Sequence, residues 1–203
     1  MEVIYYSFEN EGYFSNRSFT SFYGEAKDLI GMTKNLQKSK VKPRIKVKKL
    51  IDDKYLEKLG LSNDILTKRV SELNREEASI VLLIHICLKK PSLVILNNFD
   101  LGFNYKDKSK VSRFIKEMNA EFKTNFVIIS NDILFLNKCA KHLIICKNKI
   151  IKYQGDYITA IKQGLIPELP IISFIDMANK KEAKLTYTLD GRELLKDIYR
   201  SVF

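Results

Sequence analysis

Residues 88–132 read LKKPSLVILNNFDLGFNYKDKSKVSRFIKEMNAEFKTNFVIISND, and this stretch decides the fold class. Leu93–Leu96 is apolar without alternation, the pattern of a strand covered on both faces. Val111, Phe114, Ile115 and Met118 recur at helical spacing, so Lys108–Glu121 is an amphipathic helix. Phe126–Ile129 is a second covered strand. Two covered strands joined by a helix form a parallel β-α-β crossover. They are therefore expected side by side, with Asn97 and Asn131 near each other at their C-terminal ends.

Working outward, Glu76–Leu88 is apolar on nearly every face and reads as a buried helix that Pro91 stops. Asp52–Leu59 is a short helix ended by Gly60, and Asn63–Val70 is another. Lys38–Lys49 carries Pro43 and reads as a loop and an edge strand; residues 2–8 and 17–30 read as strands and turns. Downstream, Asp132 is expected to cap a helix over 133–139, and 143–146 with 150–153 reads as a hairpin. Asp156–Gln163, Ile171–Lys181 and Gly191–Val202 complete the chain as helices. Strands alternating with helices predict a mostly parallel α/β sheet with helices on both faces. The expected division is a domain over 1–154 and a helical extension over 155–203.

The composition suits a soluble globular core: 203 residues, 45% hydrophobic and 11% aromatic. Cys87, Cys139 and Cys146 show no metal or redox spacing, and the two in apolar runs read as buried thiols of a reducing compartment. No signal peptide is expected in MEVIYYSFEN, and the longest apolar run, Ile80–Leu88, is too short to span a bilayer. The chain is expected to be cytoplasmic, or peripheral to the inner face of the plasma membrane. The net charge of +11 admits nucleic acid or an anionic surface as partner. Outside Lys38–Lys49 the cations are spread along the chain, so a lysine-rich compositional bias is the preferred reading. His85 and His142 lack acidic neighbours in sequence and read as structural.

From LEKLGLSNDILTKRVSELNREEASIVLLIHICLKKPSLVILNN (56–98) onward, the chain resembles ABC-type ATPases, most closely those of energy-coupling-factor importers. The tail adds GDYITAIKQ, LPIISFIDMANKK and LTYTLDGRELLKDIY, which resemble the C-terminal extension of those subunits. The resemblance implies a P-loop NTPase-like sheet. It also places each catalytic motif, and at nearly every one the diagnostic side chain is replaced. The Walker B pair, an aspartate for Mg²⁺ and a glutamate for the attacking water, falls on Asn97 and Asn98; a carboxamide is a poor ligand and a poor base. The D-loop aspartate falls on Asn104 and the switch histidine on Asn131. The phosphate-binding signature falls on Leu73, Asn74, Arg75, Glu76 and Glu77. Two carboxylates there oppose a phosphate but suit the helix dipole, and Asn74 with Glu77 reads as a capping box.

A Walker A relic is read in GEAKDLIGMTKNLQKSK, with Gly31 as the first glycine. Lys34 and Leu36 stand for the next two, Gln37 for the lysine, and Lys38 follows. Glycine is scarce throughout: 8 residues, where average usage of about 7% would give roughly 14. The interval from Gly31 to Leu73 is too short for a full helical subdomain with its Q-loop. The resemblance therefore implies a catalytically inactive ABC ATPase-like subunit with a shortened helical subdomain. Its implied partners are another ABC ATPase-family subunit, as homo- or heterodimer, or a membrane transporter subunit. No cofactor is expected beyond weak ATP and magnesium contact. Two alternatives stand beside this reading: weak ATP binding and hydrolysis through rewired residues, and a basic nucleic-acid-binding module on the same fold.

Overall fold

The computed structural model describes residues 4–9, 13–29 and 32–202, with side chains described through residue 200. Seven strands form one sheet: β1 Ile4–Ser7, β2 Phe19–Tyr23, β3 Gln37–Lys38, β4 Leu93–Asn97, β5 Asn125–Ile129, β6 Leu143–Lys147 and β7 Ile150–Gly155. Their order is β3-β1-β4-β5-β2-β6-β7. The inner four, β4, β5, β2 and β6, are mutually parallel. The edges, β1 with β3 and β7, run antiparallel to their neighbours. The two strands read as covered are adjacent, paired from Leu93↔Asn125 to Asn97↔Ile129.

Period-two geometry divides the core between the two faces of the sheet. Val94, Leu96, Phe126 and Ile128 join a large cluster with the helices of one face. Leu93, Ile95, Val127 and Ile129 join Phe14, Phe22 and Leu29 in a smaller cluster on the other. The smaller face is covered in part by α1 Ala26–Leu29, a single helical turn where the sequence reads as strand and turn. The larger face carries α3 Arg75–Leu88, α4 Tyr105–Phe122 and α5 Ile133–Cys139, preceded in the chain by α2 Leu56–Leu59. α2 stops at Gly60, whose φ of +71° is the left-handed cap that glycine adopts without strain.

Between β3 and α3 the chain holds only α2 and short 3₁₀ turns, such as Val47–Lys49, Asn63–Thr67 and Val70–Glu72. The edge strand expected within 38–49 is β3 at Gln37–Lys38, followed by an isolated bridge from Lys46 to Arg69. This small segment packs on α4 through Tyr55, whose ring meets Phe114 edge-on at 6.1 Å. Phe114 is 1% exposed. Phe114→Ala is expected to destabilise the fold by about 3–5 kcal/mol, read as a lower denaturant midpoint at unchanged slope.

The C-terminal helices are α6 Tyr157–Lys162, α7 Pro170–Lys180 and α8 Gly191–Val202. Tyr157, Ile161, Ile172, Ile175 and Leu194 belong to the same buried cluster as β4 and β5. The core therefore continues across the expected boundary at 154/155. Among the described residues, no helix is long and apolar enough to cross a membrane.

Candidate functional site

The C-terminal ends of β4, β5 and β2 form one rim. Asn98 N–H donates to the Ile129 carbonyl at 2.8 Å, and Ser130 N–H to the Phe22 carbonyl at 3.2 Å. Asn97 ends β4 half-buried, its side-chain Oδ1 enclosed with no hydrogen-bond partner among the described residues. Asn98 has φ +48°, a left-handed backbone that asparagine tolerates better than most residues. Asn131 is exposed beyond β5. Asp132 caps α5 as expected, accepting from Phe135 N–H at 2.9 Å.

The neighbouring turns carry their motif residues as helix caps. Asn74 accepts from Glu77 N–H at 2.8 Å, and Glu77 accepts from Asn74 N–H at 3.0 Å, a closed capping box on α3. Arg75 and Glu76 fill the first turn of α3. Glu77 also faces the Lys68 ammonium at 3.6 Å. A Cβ on Gly102 would lie 3.8 Å from a Glu76 carboxylate oxygen, so the turn after β4 approaches the start of α3. Asn104 caps α4, accepting from Asp107 N–H at 3.0 Å.

Sequence reasoning missed the strongest electrostatic feature of this rim. Lys108 Nζ lies 2.7 Å from Asp132 and 3.7 Å from Asp100. Asp100 is 2% exposed, and its Oδ1 has no hydrogen-bond partner among the described residues. Burial lowers the Lys108 ammonium, but the Asp132 hydrogen bond and the two carboxylate charges outweigh it and hold it above its ordinary value. Burial likewise raises the Asp132 carboxyl, but hydrogen bonds from Lys108 and Phe135 N–H hold it below its ordinary value. The available signal was Asp100 itself. An aspartate between Phe99 and Leu101, in an apolar run, has to be paired when buried.

The Walker A reading at 31–38 needs correction. A phosphate loop links a strand to a helix. Gly31 lies outside the described residues, Lys34 is exposed, and Gln37 with Lys38 forms edge strand β3. No helix follows them directly. The segment that leaves a central parallel strand and opens a helical turn is Gly24–Leu29, after β2. There Lys27 is ion-paired with Glu25 at 2.6 Å. Buried Asp28 accepts from Lys149 N–H at 3.1 Å, tying the segment to the β6–β7 turn. Gly24 packs so closely that a Cβ would meet the Cys146 carbonyl at 3.1 Å. This loop holds backbone and carboxylate where phosphate binding needs glycines and a lysine.

Other chemistry is absent among the described residues. No cluster of His, Cys, Asp and Glu could hold a metal ion. Burial pushes the Cys87 and Cys139 thiols up, so neither is a nucleophile near neutral pH. His85 Nδ1 meets the Leu50 carbonyl at 3.0 Å, and burial holds the imidazole below its ordinary value.

The parallel sheet with a signature-like helix before β4 and a capped turn after β5 is the frame of an ABC ATPase cassette. Residue comparison agrees: 100 residues are 33% identical to the uncharacterized ABC transporter ATP-binding protein YfmM of Bacillus subtilis. About half of this chain is similar in sequence to a part of each of two ABC transporter ATP-binding proteins. A further 26% identity over 91 residues links it to the zinc import ATP-binding protein ZnuC of Anaplasma phagocytophilum. These matches cover 49% and 45% of this chain, but only 18% and 37% of the two relatives. No family model matches. The dimeric structure of MJ0796, a bacterial ABC transporter cassette, superposes with a TM-score of 0.54 at 10% identity, over 75% of this chain and 98% of that one. The fold is therefore cassette-like.

Proposed function

We propose that this chain is a catalytically inactive ABC ATPase-like subunit, a structural or regulatory partner of an ABC or energy-coupling-factor-type membrane transporter. The observation that carries this reading is the rim itself. Asn97 and Asn98 stand where a metal ligand and a base are needed, and the Lys108 ammonium there is paired with Asp100 and Asp132. Lys108 on α4 thereby ties the turn after β4 to the cap of α5 by ion pairs within this chain.

ABC sites are composite, so each subunit supplies Walker motifs to one site and the signature to the other. This chain retains neither half, so pairing with an intact subunit leaves both sites incomplete. A non-motor adaptor, or a decoy that silences a partner, fits better than half of an asymmetric motor. Steady-state ATP turnover tests the inactive reading directly.

The C-terminal helices supply the proposed association surface. Of the apolar residues there, Ile172, Ile175 and Leu194 are buried in the core. Phe174, Met177, Leu195 and Tyr199 are exposed, Met177 at 60% and Tyr199 at 65%. Truncation would strip the core, so point changes are the informative test. Met177→Asp with Leu195→Asp is expected to shift an assembled species to monomer in sedimentation velocity, with the melting temperature nearly unchanged. An unaltered assembly would place the interface elsewhere.

A further inference from the structure

Cations that are dispersed in the sequence converge in the fold, along α4 and α5 from the N-terminal ends of β2 and β6 to the first turn of α4. A cleft of about 550 Å³ opens at the N-terminal ends of β2 and β6. Arg17, Lys116, Lys138, Lys141 and His142 line it, with no carboxylate among the lining residues. Arg17 Nη1 and His142 Nε2 are buried there with no hydrogen-bond partner among the described residues. Lys116 donates to the Lys138 carbonyl at 2.8 Å and Lys138 to Ser109 Oγ at 2.7 Å, neutral partners that leave both charges uncompensated.

The cleft does not end at these residues. Lys116, Lys138 and Lys141 also line a second cleft, between α4–α5 and the ends of α7 and α8, whose apolar wall includes Leu134 and Ile171. Tyr105 and Lys138 continue into a third, with Lys106, Lys110, Arg113 and Arg192. Among the described residues, Asp190 is the one acidic side chain lining the second and third clefts. Tyr105 is 72% exposed, with the Lys138 ammonium 3.4 Å from its ring centroid.

We propose that this continuous basic track binds the phosphate backbone of single-stranded nucleic acid, with the Arg17–His142 cleft holding a phosphate group. A single small anion would need one cleft, whereas three joined by shared lysines fit a chain of regularly spaced charges. A lipid surface would be met by a convex or flat patch, and this track is concave between two sets of helices. An exposed aromatic beside lysines is the arrangement on which a base stacks while its phosphates are neutralised.

The test is fluorescence anisotropy with a labelled ~20-nucleotide single-stranded RNA, without ATP, across a potassium chloride series. The wild-type chain should bind at low salt and weaken linearly on a logarithmic salt scale. Arg113→Glu with Lys141→Glu, both exposed, should weaken binding at least tenfold. It should also flatten the salt slope by about 1.4, since each phosphate neutralised on a single strand adds about 0.7 to that slope. Lys152→Glu with Lys180→Glu changes the net charge equally on other exposed surfaces, and should cost under threefold. Equal losses in the two variants, or no wild-type binding at low salt, would overturn the proposal. So would binding to phosphatidylserine vesicles that the first variant abolishes while RNA binding persists. The result is independent of the inactive-subunit reading, which is judged by ATP turnover alone.

Discussion

With magnesium and ATP, the purified protein is expected to release phosphate no faster than a protein-free blank, and to bind ATP no more tightly than about 1 mM, roughly −4 kcal/mol. Three independent deficits converge. The loop after β2 pairs Lys27 with Glu25 and ties Asp28 to the Lys149 N–H, and among its described residues, 24–29, Gly24 is the one glycine and Lys27 the one lysine. Asn97 and Asn98 offer neutral oxygens where magnesium and the attacking water need carboxylates. The α3 N-terminus, where a partner's phosphate would dock, is closed by its own capping box and bears Glu76 and Glu77. Loss of one preorganised group of this kind commonly costs about 10²–10³ in rate. Restoring only the Walker B pair, Asn97→Asp with Asn98→Glu, is therefore expected to leave turnover at background. Magnesium-dependent hydrolysis that vanishes in Asn98→Ala would refute the inactive reading. Malachite-green release and isothermal titration calorimetry supply the two measurements.

The second large effect is expected at Lys108. Asp100 is almost fully buried, and the Lys108 ammonium faces it at 3.7 Å. Removing one partner of a buried pair leaves the other charge uncompensated and typically costs about 3–5 kcal/mol. Lys108 is partly exposed, so Lys108→Met is placed at the lower end, about 3 kcal/mol. For a chain of this size that is about 6–12 °C in melting temperature. Asp132 is more exposed than Asp100, so Asp132→Asn should cost less.

The pH dependence follows from the directions of the two shifts. The Asp132 carboxyl lies below its ordinary value, so its stabilisation is present above about pH 4 and is lost as pH falls through the lowered folded value. The Lys108 ammonium lies above its ordinary value, so its stabilisation is complete below about pH 10 and fades as pH rises through the raised one. Wild-type stability should therefore show both limbs around a neutral plateau. Lys108→Met should shrink both limbs, the remaining alkaline loss coming from buried Cys87, Cys139 and Tyr157, which burial holds above their ordinary values. A variant that melts like wild type at pH 7 would show that the triad contributes little.

Features legible in the sequence were those whose physics is local. Leu93–Leu96 and Phe126–Ile129 announce covered strands because each residue is apolar whichever face it meets. Asn74 with Glu77, and Asp132 with Phe135 N–H, are caps because donor and acceptor lie within one helical turn. The asparagines at 97, 98, 104 and 131, on which the proposed loss of ATPase chemistry rests, are legible by residue type alone. The Walker A reading failed because short glycine and lysine spacing recurs by chance. Only strand pairing shows that the loop following a central parallel strand begins at Gly24.

What the sequence by itself determined was the class of fold, its central crossover and the helix caps, because hydrophobic periodicity and local capping need no distant partner. The tertiary structure alone decided which charges meet. Asp100, Lys108 and Asp132 come from the turn after β4, from α4 and from the cap of α5. The basic track draws on residues from Arg17 to Arg192. Charge pairing and charge clustering depend on distances of a few ångströms between segments far apart in the chain, and the sheet order, not the local pattern, sets those distances.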